Sequence, residues 1–326
     1  MRKLLLVAMA LWMVCAAFAH VHAASSFVMK VGVGHPPTHS FVKGLEHFKQ
    51  QVEKASQARL RVEIYPNSQL GGEREMQEAV ALGNLEMTVS GLLAIYEPVF
   101  AALDVPYLFK DRNHIRRFHD SAAFKELASS LDAKNIKVLT YYEGGFRQVT
   151  NNVRPIQKVA DLKGLKIRTP EIPAMIETFK QLGAVVTPMS FAELYGALRQ
   201  GVVDGQENPV KNIHTSKFYE VQKHLAMTNH QYNSGYVYMN NGYFNRLPAD
   251  LQQLLLKAIA ESSVFQVKLD ADTEDSLLDD LKKNGMQVTT PDEKEFREAT
   301  KGVYDVFYQR YGDKAKRVIE QIISMR

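Results

Sequence analysis

Residues Asp161–Pro173 read DLKGLKIRTPEIP. The short apolar run from Leu165 to Ile167 predicts a strand that ends on Arg168. Pro170 and Pro173 stop the strand and open a helix, because proline gives no N–H to a ladder and suits a first helical turn. A strand that hands over to a helix is the unit of a parallel α/β sheet. In such sheets ligands bind beyond the carboxyl ends of the strands. Arg168 therefore stands either on a solvated rim or in a crevice that receives an anion.

Reading on from this stretch, GLKIR (164–168) is a strand and EIPAMIETFKQLG a helix closed by Gly183. AVVTPM (184–189) is a strand. SFAELYGALRQG is a helix that opens on the capping-box spacing of Ser190 and Glu193 and closes at Gly201. VVDGQ (202–206) is the third strand, with Gln206-Glu207-Asn208 expected at its carboxyl end. The first half runs in the same order: FVMKVGVG (27–34), a helix over 40–55 with Phe41, Leu45, Phe48 and Val52 on one stripe, RLRVEIYP (59–66), a helix closed by Gly83, and LEMTVS (85–90). Two β-α-β-α-β runs predict an α/β fold of two lobes, each a β-sheet flanked by helices, with a ligand cleft between them. Lobe I is expected over 24–147, completed by a return segment at about 229–260. Lobe II is expected over 148–228, completed by C-terminal helices at about 261–326. KFYEVQKHLAMTNHQYNSGYVYMN reads as a helix and then an extended segment, expected as a return crossing between lobes. Leu247 to about Lys283 reads as mostly helical, with further helices from Pro291 and Asp313.

Residues 1–23 read as a signal peptide: Arg2 and Lys3, an apolar core from Leu4 to Phe18, and a small-residue exit. Cleavage is expected after Ala23, with Ala19 as the alternative. It removes Cys15, the only cysteine, so disulfides, thiol nucleophiles and thiolate metal sites are excluded. It also removes two cations, taking the formal net charge from +4 to +2. That balance argues for no nucleic-acid partner, and the mature chain is expected to have no direct membrane insertion. A composition of 45% hydrophobic and 23% charged residues is that of a soluble globular protein, and 326 residues suffice for two lobes.

Catalytic patterns are missing. GVGHPP (32–37) carries Pro37 where a dinucleotide loop needs glycine, and neither a phosphate-binding loop nor a G-x-S-x-G turn occurs. His35 and His39 straddle two prolines, which does not suit a helical zinc pair. His114 and His119 are expected on a solvated helix face. No acid–base constellation forms, so no enzyme, no cofactor and no metal is expected. Arg168 and a second arginine, Arg147, on a glycine-flanked strand, suit a carboxylate, which takes two parallel hydrogen bonds from a guanidinium fork. Asn208 is placed to add one more. Most aromatic residues belong to the core, and a few, with Tyr232 among the expected site residues, line a pocket.

These blocks resemble a known family. YPNSQLGGEREM, LDVPYLF, DLKGLKIRTPE, FAELYGAL, VDGQENP and KFYEVQKHLAMTNH, in this order, are similar to the extracytoplasmic substrate-binding proteins of TRAP transporters, the DctP family, over essentially the whole mature chain. The resemblance implies a periplasmic protein that captures a small organic acid, of dicarboxylate or sugar-acid type, and delivers it to TRAP membrane permease subunits. It implies a salt bridge from Arg168 to the ligand carboxylate, a hydrogen bond from Asn208 and a second contact from Arg147. It also implies an acidic group at Glu73 for ligand hydroxyls or an amide and a wall aromatic at Phe191. His35 completes the expected site. Gly91, Ala94 and Glu171 depart from the relatives that bind sialic acid, which argues against that ligand. A sensory binding protein and an exported enzyme acting on a carboxylate are the alternative readings.

Overall fold

The computed structural model describes residues 27–326, and the expected signal segment lies outside the described residues. Its strands are β1 (Phe27–Val33), β2 (Leu60–Tyr65), β3 (Met87–Ser90), β4 (Ile136–Asn151), β5 (Lys166–Thr169), β6 (Val185–Pro188), β7 (Gly205–Pro209), β8 (His224–Ala226), β9 (Tyr232–Asn240) and β10 (Gln287–Thr289). Its helices are α1 (Ser40–Ala55), α2 (Glu73–Leu82), α3 (Arg112–Asp120), α4 (Ala122–Ser129), α5 (Pro173–Gln181), α6 (Phe191–Gln200), α7 (Val210–Thr215), α8 (Asn241–Arg246), α9 (Ala249–Lys283), α10 (Glu293–Ala299) and α11 (Gly302–Ser324).

Hydrophobic periodicity accounts for the packing. The stripe Phe41, Leu45, Phe48 and Val52 of α1 is buried with Met29, Val31 and Val33 of β1 and with Leu251, Leu255 and Ile259 of α9. Burying each such side chain contributes roughly 1.5–3 kcal/mol. In lobe II, Ile167 of β5 packs with Val149, Phe179 and Leu182. Leu194 and Leu198 of α6 pack with Ile213, Leu225 and Leu281. Helices α2 and α6 stop at Gly83 and Gly201, whose φ of 81° and 70° lie in the left-handed region that glycine enters without strain.

The strand order is β2-β1-β3-β9-β4-β7-β5-β6, with β8 beside β4 and β10 beside β8. β1 is parallel to β2 and β3, and β5 is parallel to β6 and β7. Each lobe is a sheet flanked by helices, as expected, but the two sheets share one 16-residue strand, β4. From Ile136 to Phe146 it pairs with β9 in lobe I, and from Arg147 to Asn151 it pairs with β7 in lobe II. The β4–β9 register slips between Glu143 and Gly145. The long helix α9 crosses both lobes: Leu251 and Leu255 sit in the lobe I cluster, while Leu281 sits in a lobe II cluster. The terminal helix α11, interrupted at Gly312, buries Phe307 and Ile319 in a cluster that holds Phe100 and Phe118 together with Ile172 and Met175.

Some expectations are corrected. β7 begins at Gly205, three residues later than the apolar pair Val202-Val203 suggested, so Gln206, Glu207 and Asn208 lie inside the strand and not after it. Ladder partners decide this: Gly205 and Gln206 pair with Ile167 and Arg168, while Asn208 pairs with Gln148. Where KFYE suggested a helix there is only a 3-10 turn, Phe218–Glu220, before β8. His114 and His119 are buried, not solvated; His114 bonds to the Ile322 carbonyl oxygen at 2.7 Å, and His119 stacks on Tyr141 at 3.8 Å. Ser190 Oγ caps α6 by accepting from Ala192 N (3.3 Å).

Candidate ligand-binding site

The carboxyl ends of β1, β3 and β5 and the amino ends of α2 and α6 face one cleft. Its outer chamber, about 360 Å³, is lined by Gly72, Glu73, Arg168, Glu171, Ser190 and Phe191 among others. An inner chamber of about 40 Å³ lies against His35, Arg147, Arg168, Asn208, Asn212 and Asn233. Glu73, Leu92, Arg168, Pro170 and Phe191 line both, so the two are continuous. Their combined size is at the small end of the roughly 300–1,000 Å³ usual for ligand pockets.

Arg168, the third residue of β5, is 2% exposed. It donates from Nε and Nη2 to the Met189 carbonyl oxygen (3.0 and 2.6 Å), just beyond the end of the neighbouring parallel strand β6. A guanidinium carries five N–H donors, so three remain. No carboxylate lies within salt-bridge distance of it among the described residues. Burial lowers its pKa to about 10, still well above neutral, so the group stays charged. A buried, unpaired cation is costly. Its charge and its free donors both call for an anion.

Arg147 is placed differently. It donates bidentately to the Glu207 carboxylate, once more to the Glu207 carbonyl oxygen (2.6 Å) and once to Asn233 Oδ1 (2.9 Å). Four of its donors are thus engaged. Glu207 is fully buried and also bonded to His230 Nε2 at 3.2 Å. Burial pushes the Glu207 carboxyl up, but Arg147 and His230 outweigh it and hold it below the usual range. Arg147 therefore brings little net charge to the chamber.

The other expected residues divide. Asn208 lines the inner chamber; it donates to Gln206 Oε1 (2.5 Å) and accepts from Asn212 Nδ2 (3.1 Å), which leaves one amide N–H. Glu73 opens α2, accepts from Ser90 Oγ (3.0 Å), and is raised by burial. Phe191 opens α6 and faces His35 across the cleft at 5.2 Å. Tyr232 lines neither chamber. It is buried in the core beside Phe146 (4.9 Å) and Phe109 (6.5 Å), because alternation along β9 turns Asn233 to the chamber.

Residues 31–311 match the family described as bacterial extracellular solute-binding protein, family 7 (DctP). The chain belongs to this family. It is 38% identical over 255 residues to the 2,3-diketo-L-gulonate-binding periplasmic protein of Escherichia coli, covering 77% of this chain and 78% of that one. It is 35% identical to the C4-dicarboxylate-binding periplasmic protein DctP of Rhodobacter capsulatus, covering 83% of each. The solved structure of a TRAP periplasmic solute-binding protein from Polaromonas sp. JS666, bound to D-erythronate, is 36% identical with a TM-score of 0.88 and covers 92% of this chain and 99% of that one.

For a solute-binding protein of this family, the sequence reading missed three supporting groups. Glu207 was seen only as a neighbour of Asn208, though an acidic residue inside an otherwise buried strand signals a buried partner. Asn212 and Asn233 carry no local pattern, and only the meeting of α7 and β9 with the cleft brings them in.

Proposed function

We propose that this chain is a periplasmic receptor for a small hydroxylated monocarboxylate of the sugar-acid type, which it delivers to a TRAP permease without chemical change. The observation that carries this is Arg168: buried, charged, without a carboxylate partner and with three donors free. Charge counting favours one carboxylate over two. Glu207 already neutralises Arg147, so one uncompensated guanidinium remains for one carboxylate. The outer chamber beyond Arg168 is bordered by Glu73, Glu75, Glu171 and Glu193 against a single further cation, Arg74. Carboxylate oxygens accept hydrogen bonds from hydroxyls and repel a second carboxylate. Two of the relatives named above, the 2,3-diketo-L-gulonate-binding protein and the protein bound to D-erythronate, take sugar acids, which supports this reading; the third takes a C4-dicarboxylate, the competing class. No helix among the described residues is long and apolar enough to cross a membrane.

The test is thermal unfolding with D-erythronate, D-galactonate, D-galacturonate and succinate. A ligand that binds only the folded state raises Tm by mass action. Sugar monocarboxylates are expected to raise Tm more than succinate at equal concentration, with the shift lost in Arg168→Met. Stabilisation by succinate alone would overturn the monocarboxylate assignment. A shift retained in Arg168→Met would overturn the site.

A further inference from the structure

We propose that Gly72 and Ser190 form the stop at which the two lobes come to rest when the cleft closes, and that residue 72 is glycine so that they can meet. This deepens the reading of the cleft as the site of the acid and rests on it.

Local rules do not call for glycine at 72. It is the N-cap of α2, with φ −67° and ψ 172°, an extended conformation open to any residue. Serine, aspartate and asparagine cap a helix at least as well, and threonine about equally. The need is for space. A Cβ at Gly72 would stand 3.0 Å from Ser190 Oγ, closer than such atoms settle unless one of them shifts. Glu75 Oε2 is equally near that point, but it ends an exposed side chain of the same helix and can turn aside. Ser190 Oγ is less free, because it caps α6 by accepting from Ala192 N. Gly72 belongs to lobe I and Ser190 to lobe II, so the two helix starts touch across the cleft.

The surroundings suit a stop. Both residues border the outer chamber. Along the rim, a groove of about 300 Å³ runs between Asn67 and Ser68 of lobe I and Tyr195 and Lys217 of lobe II. The contact is a backbone against a hydroxyl, with open space nearby, and not a packed apolar seam. Closure is required by the site itself. Arg168 is 2% exposed and the inner chamber measures about 40 Å³, so an acid that pairs with this guanidinium needs the lobes to part and close again. β4 changes partner from β9 to β7 beside Gly145, whose φ of 92° gives the strand a flexing point. Arg147, two residues on, lines the inner chamber, while Gly72 and Ser190 line the outer one. A small rotation at the inner end therefore moves the two caps most. A side chain at 72 acts as a wedge that halts the lobes early and leaves each lobe intact.

The experiment is a double-mutant cycle of wild type, Gly72→Thr, Ser190→Gly and the double variant. Each is measured by isothermal titration calorimetry with D-erythronate, D-galactonate and succinate, and by thermal unfolding without ligand. Gly72→Thr is expected to weaken the best-binding probe about ten- to hundredfold, the scale of overpacking a close contact. Its ligand-free Tm should stay within about 3 °C of wild type, because threonine and glycine cap about equally. In the Ser190→Gly background, which removes the opposing hydroxyl, the same substitution should cost less than about threefold. Gly72→Ser, a stronger cap with a smaller side chain, should lose less affinity than Gly72→Thr, and it carries the cycle if the threonine variant does not fold. Unchanged affinity in both variants would overturn the proposal and leave the cleft assignment standing. A loss that Ser190→Gly does not relieve would also overturn it, since residue 72 would then act on the acid and not on the other lobe. A larger fall in ligand-free Tm would do the same, by showing that the lobes hold this contact without a ligand. If no probe binds the wild-type protein, the reading of the cleft fails and this proposal falls with it.

Discussion

Replacing Arg168 with methionine should separate ligand binding from folding. The side chain offers three free donors, and a carboxylate takes two of them in a bidentate pair. Each charge-assisted bond is worth about 1.5–3 kcal/mol. Losing both costs about 3–6 kcal/mol, or roughly 10²- to 10⁴-fold in affinity. The ligand-free protein should respond otherwise. Methionine forfeits the two bonds to the Met189 carbonyl but relieves the burial of an unpaired charge, and replacing buried ionic groups by apolar ones is often neutral or stabilising. The net change in unfolding free energy should stay within about 1 kcal/mol, a few degrees in Tm. Isothermal titration calorimetry with the best-binding probe from the Tm comparison reads the first quantity, and thermal unfolding without ligand reads the second. Affinity retained within tenfold would refute the assignment of Arg168 as the anion receptor. A fall of about 10 °C or more in ligand-free Tm would mark it as a structural charge, and the argument from its unpaired state would fail.

Three further outcomes are expected. Glu207→Gln leaves Arg147 without its counter-ion, so the affinity for succinate should rise about tenfold relative to D-erythronate in competition calorimetry, and an unchanged ratio would show that Glu207 does not set the charge preference. Lys211 is buried and donates to Asp270, Ser40 Oγ and the Glu143 carbonyl oxygen; Lys211→Met should cost about 3–5 kcal/mol in denaturant unfolding by stranding the Asp270 carboxylate, and a loss under 1 kcal/mol would contradict this. Burial raises Asp104 to about 7, against the opposing pull of Arg147. A raised carboxyl stabilises the fold fully below its ordinary value near 4, and that stability is lost as pH rises through about 7. The stability of Asp104→Asn relative to wild type should therefore grow between pH 4 and 8, by at most about 4 kcal/mol; a flat difference would contradict the raised value.

Much of the fold was legible because it rests on local signals. The α1 stripe, the glycine stops of α2 and α6, and the proline after β5 act within a few residues. Arg168 was legible for the same reason, since the end of a parallel strand is a local feature with a known relation to ligand sites. What was not legible depends on partners distant in sequence. The start of β7 was misplaced because its ladder with β4 and β5 outweighs the apolar pair before it. That Glu207, on the adjacent strand β7 but 60 residues away in sequence, would engage Arg147 was not legible. Tyr232 was assigned to the pocket by residue type, but the alternation of β9 points its neighbour Asn233 there. The sharing of β4 between lobes leaves no mark, since a long strand reads alike whether it serves one sheet or two.

The place of β9 has a consequence for how the chain acquires its structure. β9 lies between β3 and β4, yet it begins at residue 232, long after both have been synthesised. Until it emerges, the inner edges of β3 and of the first part of β4 have no partner, and no hairpin can supply one. Assembly of lobe I is thus governed by contacts of large sequence separation, which slow folding. A nascent chain that ends anywhere before residue 240 has an unfinished sheet and exposed strand edges, the features that favour aggregation and capture by chaperones. Neither lobe is a unit that can be cut free: the central strand of the first is made after most of the second. Unfolding should accordingly be a single cooperative event, despite the two-lobed shape.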